Sequence, residues 1–236
     1  MRKPIILLLL IFSFFSIQSY ARLSYQLELP SRYIWRGFDL YPENNPAIQP
    51  SLTYTMGESG LSLNLWMGFA LKERSKLKYF DEIDLTLTYT FMKVNNIEIS
   101  TGFTHYGFYF AKNFSFKKST SQEVFISAAL PDSPFSPGLT VFYDFNLGSG
   151  LYINLEGSRT IRISKKQDSI LSASLGFNSR QYIDQTGLSD LSFKYTVPVS
   201  LKKIIISPYC SISIPLMKTV NPKTEWWFGV IIALAD

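Results

Sequence analysis

The sequence predicts an all-β protein: a single antiparallel transmembrane β-barrel of about twelve strands at 22–236, behind an amino-terminal signal peptide at 1–21. Three observations carry this expectation. Residues 47–71 hold two runs of strict apolar-polar alternation joined by Gly57-Glu58-Ser59-Gly60, the pattern of a β-hairpin. Each run is about ten residues, longer than the usual five or six and matched to the 9–11 tilted residues that cross a bilayer. Aromatic residues make up 16% of the chain and charged residues only 17%, which suits a wall facing lipid with aromatic girdles at its rims.

The hairpin also indicates which face looks outward. Leu61, Leu63, Leu65, Met67, Phe69 and Leu71 form a continuous row of large apolar side chains, whereas the opposite row mixes Ser62, Asn64 and Trp66 with Gly68 and Ala70. An oily row outside and a polar row inside is the membrane-barrel arrangement.

At the amino terminus, Arg2 and Lys3 precede an apolar run from Ile5 to Phe15 and then Ser19-Tyr20-Ala21, the order of a secretory leader with cleavage after Ala21. The run is shorter than the ~20 residues a spanning helix needs, which ranks a retained transmembrane anchor below a cleaved leader, and no later stretch reaches 18 apolar residues, so a helical membrane protein is excluded for the remainder. Leader removal leaves 215 of 236 residues and lowers the net charge of +5 to about +3. The only cysteine, Cys210, shares its parity with Ile206, Ile212 and Ile214 and reads as a filler of the lipid face.

The elements follow in order. Residues 23–39 put Leu23, Tyr25, Leu27 and Leu29 outward, bend at Pro30, and continue with Arg32 and Arg36 inward and Tyr33 and Trp35 outward. After the opening hairpin and a charged loop at 72–80, residues 81–92 point Leu85, Leu87 and Tyr89 outward and Asp84, Thr86 and Thr88 inward. The turn Lys93-Val94-Asn95-Asn96 leads to 97–110, whose crowd of Phe and Tyr reads as an interfacial girdle. A loop is expected at 111–120, then strands at 122–130 and 138–146, linked by a proline-rich turn. Gly148-Ser149-Gly150 turns the chain into 151–163, with Tyr152, Asn154, Glu156, Ser158, Thr160 and Arg162 on one inward face. Strands at 169–179, 188–200, 204–214 and 224–235 complete the set. An even count with both termini in the periplasm makes most turns on that side short and most outer loops longer.

Charged residues obey the same parity. Glu28, Arg32, Arg36, Asp84, Glu98, Glu123, Asp144, Glu156, Arg162, Lys194 and Glu225 all fall on the inner wall, whereas Arg159 falls outward and implies a bulge, a rim position or snorkelling. An Arg or Lys at the bilayer midplane costs about 2–4 kcal/mol, so inward parity of charge supports the assignment. Seven acids against four bases would favour cationic solutes if the lumen is open; the alternative is that these groups pair across the lumen and hold a small barrel shut. Catalysis has little support. His105 is the only histidine, and Ser100, the nearest serine, lies on the opposite parity. One His and one Cys cannot build a zinc site, and no phosphate loop or cofactor motif is present, so no cofactor is expected.

Several motifs coincide with a family. Ser31-Arg32-Tyr33-Ile34-Trp35-Arg36-Gly37 followed by Pro46-Ala47-Ile48-Gln49-Pro50 resembles the amino-terminal signature of the Gcw_chp-type bacterial outer-membrane β-barrel proteins. Gln122-Glu123-Val124-Phe125, the stretch from Pro137-Gly138 to Tyr143-Asp144, and Gly150-Leu151-Tyr152-Ile153-Asn154-Leu155-Glu156 resemble its middle. The resemblance implies an outer-membrane barrel and carries no established activity. Gly229, Ile232 and Leu234 are similar to the terminal-strand signal read by the barrel assembly machinery, with Trp227 and the ending Ala235-Asp236 as departures.

The expected function is therefore a narrow outer-membrane channel for small solutes. The alternative is a closed structural or binding barrel whose outer loops, 72–80, 111–120, 179–187 and 215–223, contact lipopolysaccharide or a protein partner; an outer-membrane enzyme or a soluble periplasmic barrel ranks below both. Lysine pairs in the turns, such as Lys117-Lys118 and Lys202-Lys203, suit solvated ends or anionic headgroups. Their scatter over both ends of the barrel gives no nucleic-acid surface.

Overall fold

A computed structural model of the chain describes residues 21–73, 80–112 and 115–234. The leader expected at 1–21 lies, but for Ala21, outside the described residues. Fifteen strands are described: β1 (Arg22–Pro30), β2 (Ile34–Trp35), β3 (Phe38–Asp39), β4 (Ala47–Thr55), β5 (Leu61–Ala70), β6 (Asp81–Val94), β7 (Ile97–Lys112), β8 (Ser115–Ala129), β9 (Gly138–Asp144), β10 (Gly150–Ser164), β11 (Gln167–Ser179), β12 (Thr186–Thr196), β13 (Val199–Leu201), β14 (Ile204–Pro215) and β15 (Glu225–Leu234).

Twelve of them close an antiparallel barrel, each pairing with its neighbours along the chain once the small β2–β3 hairpin is set aside. Closure comes from β1 against β15, with Leu27 opposite Ile232, so among the described residues no barrel strand is left as a free edge. β13 continues β12 beyond Val197-Pro198, where proline interrupts the ladder, and both pair with β14. Four short turns and the proline-rich 130–137 connection lie at the end where β1 begins; most of the longer connections lie at the other. In outer-membrane barrels the first is the periplasmic end and the second the outer end.

Burial is inverted relative to a soluble protein. Glu123, Asp144, Ser121, Asn178 and Gln181 are fully buried, while Trp226 and Phe228 are 68% and 70% exposed on the outside. Leu85, Leu87, Ile126, Leu139 and Leu155 share that outer surface. Cys210 is exposed on it as well, on the outward parity of β14. An exposed apolar band of this extent is incompatible with water on both sides of the wall and fits hydrocarbon on the outside. Leu87 sits midway along β6 between Leu63 and Phe103 of the flanking strands. Leu87→Arg should lower the unfolding free energy by about 2–4 kcal/mol in urea titrations of the bilayer-reconstituted barrel.

Two expectations are corrected. Residues 115–120, read as part of a loop, are strand: β7 and β8 pair from Glu98–Ala129 up to Lys112–Ser115, so this hairpin rises past its neighbours. The Thr and Ser of Ser119-Thr120-Ser121 carry strand propensity that the lysine cluster obscured. Residues 31–39 do not continue the wall, and Tyr33 and Trp35 do not face lipid. The chain leaves the barrel at Pro30 and folds inward, burying Tyr33 and Tyr41 beside Ala47 and Ala70, with Trp35, Leu40, Trp66 and Phe80 packed around them.

Candidate functional site

The inward fold of residues 31–46 defines the site. Pro30 lacks the N–H that would extend the ladder, and Ser31 ties the departing chain to β15: its N–H donates to the Phe228 carbonyl at 2.8 Å and its Oγ accepts from the Phe228 N–H at 3.1 Å. β2 and β3 then form a minimal hairpin, pairing Ile34 with Asp39 and Trp35 with Phe38 across Arg36-Gly37. Both turn residues have positive φ, 49° and 81°, as a two-residue type I′ turn requires.

The hairpin is fastened at base and tip. At the base, Arg32 Nη1 reaches Asp39 Oδ2 at 2.6 Å and Glu225 Oε2 at 2.7 Å, and its Nη2 donates to Asn44. The Tyr33 hydroxyl donates to Glu82 Oε2 at 3.1 Å, and that of Tyr41 reaches the Gly68 and Phe80 carbonyls. At the tip, Arg36 grips Glu123 with both nitrogens, at 2.6 and 2.8 Å, and donates to Gln181 Oε1 at 2.7 Å. Its guanidinium lies over the rings of Phe142, Trp35 and Tyr152 at 4.1, 4.4 and 4.7 Å. A bidentate Arg–carboxylate pair surrounded by aromatic faces is among the strongest polar anchors a protein makes.

Beside the hairpin, toward the periplasmic end, lies a cavity of about 980 Å³. Its wall combines hydroxyls and amides, among them Asn64, Thr86, Thr104, Ser127, Thr140, Asn154, Ser172 and Ser192, with the rings of Trp35, Phe125, Phe142 and Trp227 and with the ionisable groups Glu28, Asp84, Glu156 and Lys194. Lys194 lies over the Tyr209 ring at 3.9 Å and 3.6 Å from Glu28, while Glu156 accepts from Asn154 at 3.0 Å.

The charged residues read from parity thus separate into three groups. Arg32, Arg36, Glu123 and Glu225 fasten the hairpin. Glu28, Asp84, Glu156 and Lys194 face the open cavity. Asp144 lies at the outer rim, accepting from Ser121 Oγ, the Asn146 and Gly148 N–H groups and the Tyr182 hydroxyl, so it pins the β9–β10 connection. Glu98 pairs with Lys93 and Arg162 with Asp168 at the periplasmic rim. Arg159 rests over the Phe135 ring near the same rim, one of the positions its outward parity implied. His105 pairs in register with outward Leu85, and its Nδ1 meets Gln122 Nε2 at 3.1 Å.

Parity did not reveal Gln181, Phe142, Asp39 or Glu82 as partners of the hairpin. Gln181 sits in a connecting segment, where period-two reading is silent; Phe142 shares the inward parity of Asp144, with no sign that it would meet a guanidinium. The signal that was available is the Arg36-Gly37 pair between Trp35 and Phe38, a two-residue hairpin signature within the inward motif.

The family model for Gcw_chp, described as a bacterial protein of unknown function, matches residues 16–178. The chain belongs to this family. The matched span contains the infolded hairpin together with Glu123, Phe142 and Tyr152; Gln181 and Glu225 lie beyond it. A search of the curated proteins finds no match. Among solved structures the chain is similar in fold to the KdgM porin, at a TM-score of 0.59 and 10% identity, over 90% of this chain and 99% of that one. The NanC porin gives 0.54 and 10%, over 91% and 100%. LpxR from Salmonella typhimurium gives 0.54 and 9%, over 90% and 100%. These likenesses establish the architecture, an outer-membrane-type barrel of the kind porins use.

Proposed function

We propose that this Gcw_chp barrel is an outer-membrane channel for small polar solutes with a preference for cations, closed in the described state by its own first outer loop. The observation that carries the reading is the 980 Å³ lumen cavity lined by hydroxyls, amides and acids, directly beside an inserted hairpin. A barrel stabilised only by internal packing has no need of an open lumen of this size, since small barrels can fill theirs with side chains. Of the ionisable residues facing the cavity away from the Arg32 and Arg36 anchors, the solvent-accessible acids Glu28 and Glu156 outnumber Lys194, and an acidic lining attracts cations.

The reading includes export by a leader at 1–21, with the barrel occupying 22–236, insertion by the barrel assembly machinery through the terminal strand, and contact of the outer loops with lipopolysaccharide. Lys72 supports the last of these: it is exposed at the outer end, its Nζ held by the Asn44 carbonyl at 2.9 Å.

Planar-bilayer recording of the refolded barrel, with heat-modifiability confirming that it folded, tests the proposal. Discrete cation-selective openings are expected. Glu28→Gln combined with Glu156→Gln should move the reversal potential under a salt gradient toward the non-selective value while leaving folding unchanged. A folded barrel that shows no openings, with or without the hairpin anchors, would leave the closed binding barrel as the better reading.

A further inference from the structure

The groups that receive Arg36 belong to the barrel wall, and they are held in place without it. Glu123 is on β8, Phe142 on β9, Tyr152 on β10, and Gln181 in the connection after β11. Glu123 is fully buried, and other donors set its orientation: the Tyr106 hydroxyl to Oε1 at 2.8 Å and Gln181 Nε2 to Oε2 at 2.8 Å. Gln181 is fixed in turn, its N–H donating to Asn178 Oδ1 at 2.8 Å and its carbonyl accepting from Asn178 Nδ2 at 3.0 Å. Both carboxylate oxygens still accept the fork of Arg36, and the two adjacent wall rings lie against the same guanidinium. Withdrawal of the hairpin would therefore leave a shaped site rather than a collapsed one.

We infer that Glu123, Gln181, Phe142 and Tyr152 form a recognition site for a small guanidinium-bearing solute, and that Arg36 occupies it as a tethered stand-in. A planar fork of N–H donors matches the carboxylate edge, and its weakly hydrated face matches the rings; an ammonium ion offers neither. The tether gives Arg36 an effective concentration in the millimolar range, so a free solute competes at millimolar levels and, on binding, releases the hairpin tip. The inference rests on the channel reading for what release accomplishes, and on the site's geometry alone for binding.

The test uses Arg36→Ala, with heat-modifiability showing that the barrel forms. Ethylguanidinium should raise the melting temperature of this variant by about 4 °C at ten times its dissociation constant. Ethylammonium at the same concentration should leave it unmoved, and adding Glu123→Gln should abolish the shift. Equal shifts from the two cations, or none from either, would overturn the site. In the wild-type barrel, millimolar ethylguanidinium should speed hydrogen exchange at the Leu40 N–H, which donates to the Tyr33 carbonyl across the hairpin; exchange matched by ethylammonium counts against the proposal. Neither readout involves conduction. A barrel that is silent in bilayers and still shows the guanidinium shift would refute the channel and keep the site.

Discussion

Arg36→Ala is expected to raise the open fraction in single-channel records on the order of a hundredfold or more, while the barrel still folds and remains heat-modifiable. The magnitude follows from what the substitution leaves behind. Removing one member of a buried ion pair costs about 3–5 kcal/mol, because the remaining charge is stranded without its partner. Glu123 is stranded in this way only while the hairpin stays inserted, since a displaced hairpin lets lumen water reach the carboxylate. The cost is therefore borne by the inserted state alone, and each 1.4 kcal/mol shifts a two-state population about tenfold. The barrel itself rests on continuous strand ladders in which Arg36 has no part. Arg36→Lys should fall between the two, since lysine retains the charge and loses the fork. A fully closed Arg36→Ala channel would show that the base contacts of Arg32, Tyr33 and Tyr41 suffice, and that the tip is no latch.

The second large effect is expected at Gly37. Its φ of +81° lies where most side chains are strained, and a Cβ placed there would lie 2.8 Å from the Asp190 Cβ and 2.9 Å from Val220 Cγ1. The first penalty is conformational and the second steric, and two substitutions separate them. Gly37→Asn tolerates the left-handed region yet still clashes; Gly37→Val suffers both, with a β-branch in a region such residues avoid. Protease cleavage within 31–46, applied from the outer side of reconstituted vesicles, measures hairpin displacement. Cleavage should be slow in wild type, faster in Gly37→Asn and fastest in Gly37→Val, with conductance rising in the same order. Equal resistance in all three would mean that the tip does not sit against Asp190 in the membrane.

Much of the wall was legible from order and parity. The hairpin at 47–71 has its apolar row outside as read, and the paired strands Ala47–Thr55 and Leu61–Ala70 lie within the two alternating runs. Local repulsion between side chain and solvent makes this possible: a strand buried on neither or both faces loses its period, but a strand between lipid and water must alternate at every residue. The same logic put Glu123 and Glu156 inward without reference to any partner. It failed at Tyr33 and Trp35, because those residues had left the wall, and parity has no meaning once the chain stops being part of the sheet. It also passed over the strand at 115–120, where a pair of lysines imitates a loop.

The sequence by itself determined the barrel, its strand count, its inside-out polarity and the inward placement of Glu123, because each of these is a local consequence of side chains choosing between hydrocarbon and water. Only the tertiary structure decided that Arg36 and Glu123, 87 positions apart, grip one another through a hairpin folded into the lumen. That contact depends on barrel closure, which brings β1 and β15 together and aims the first outer loop at β8–β10. No local periodicity encodes that distance across a lumen.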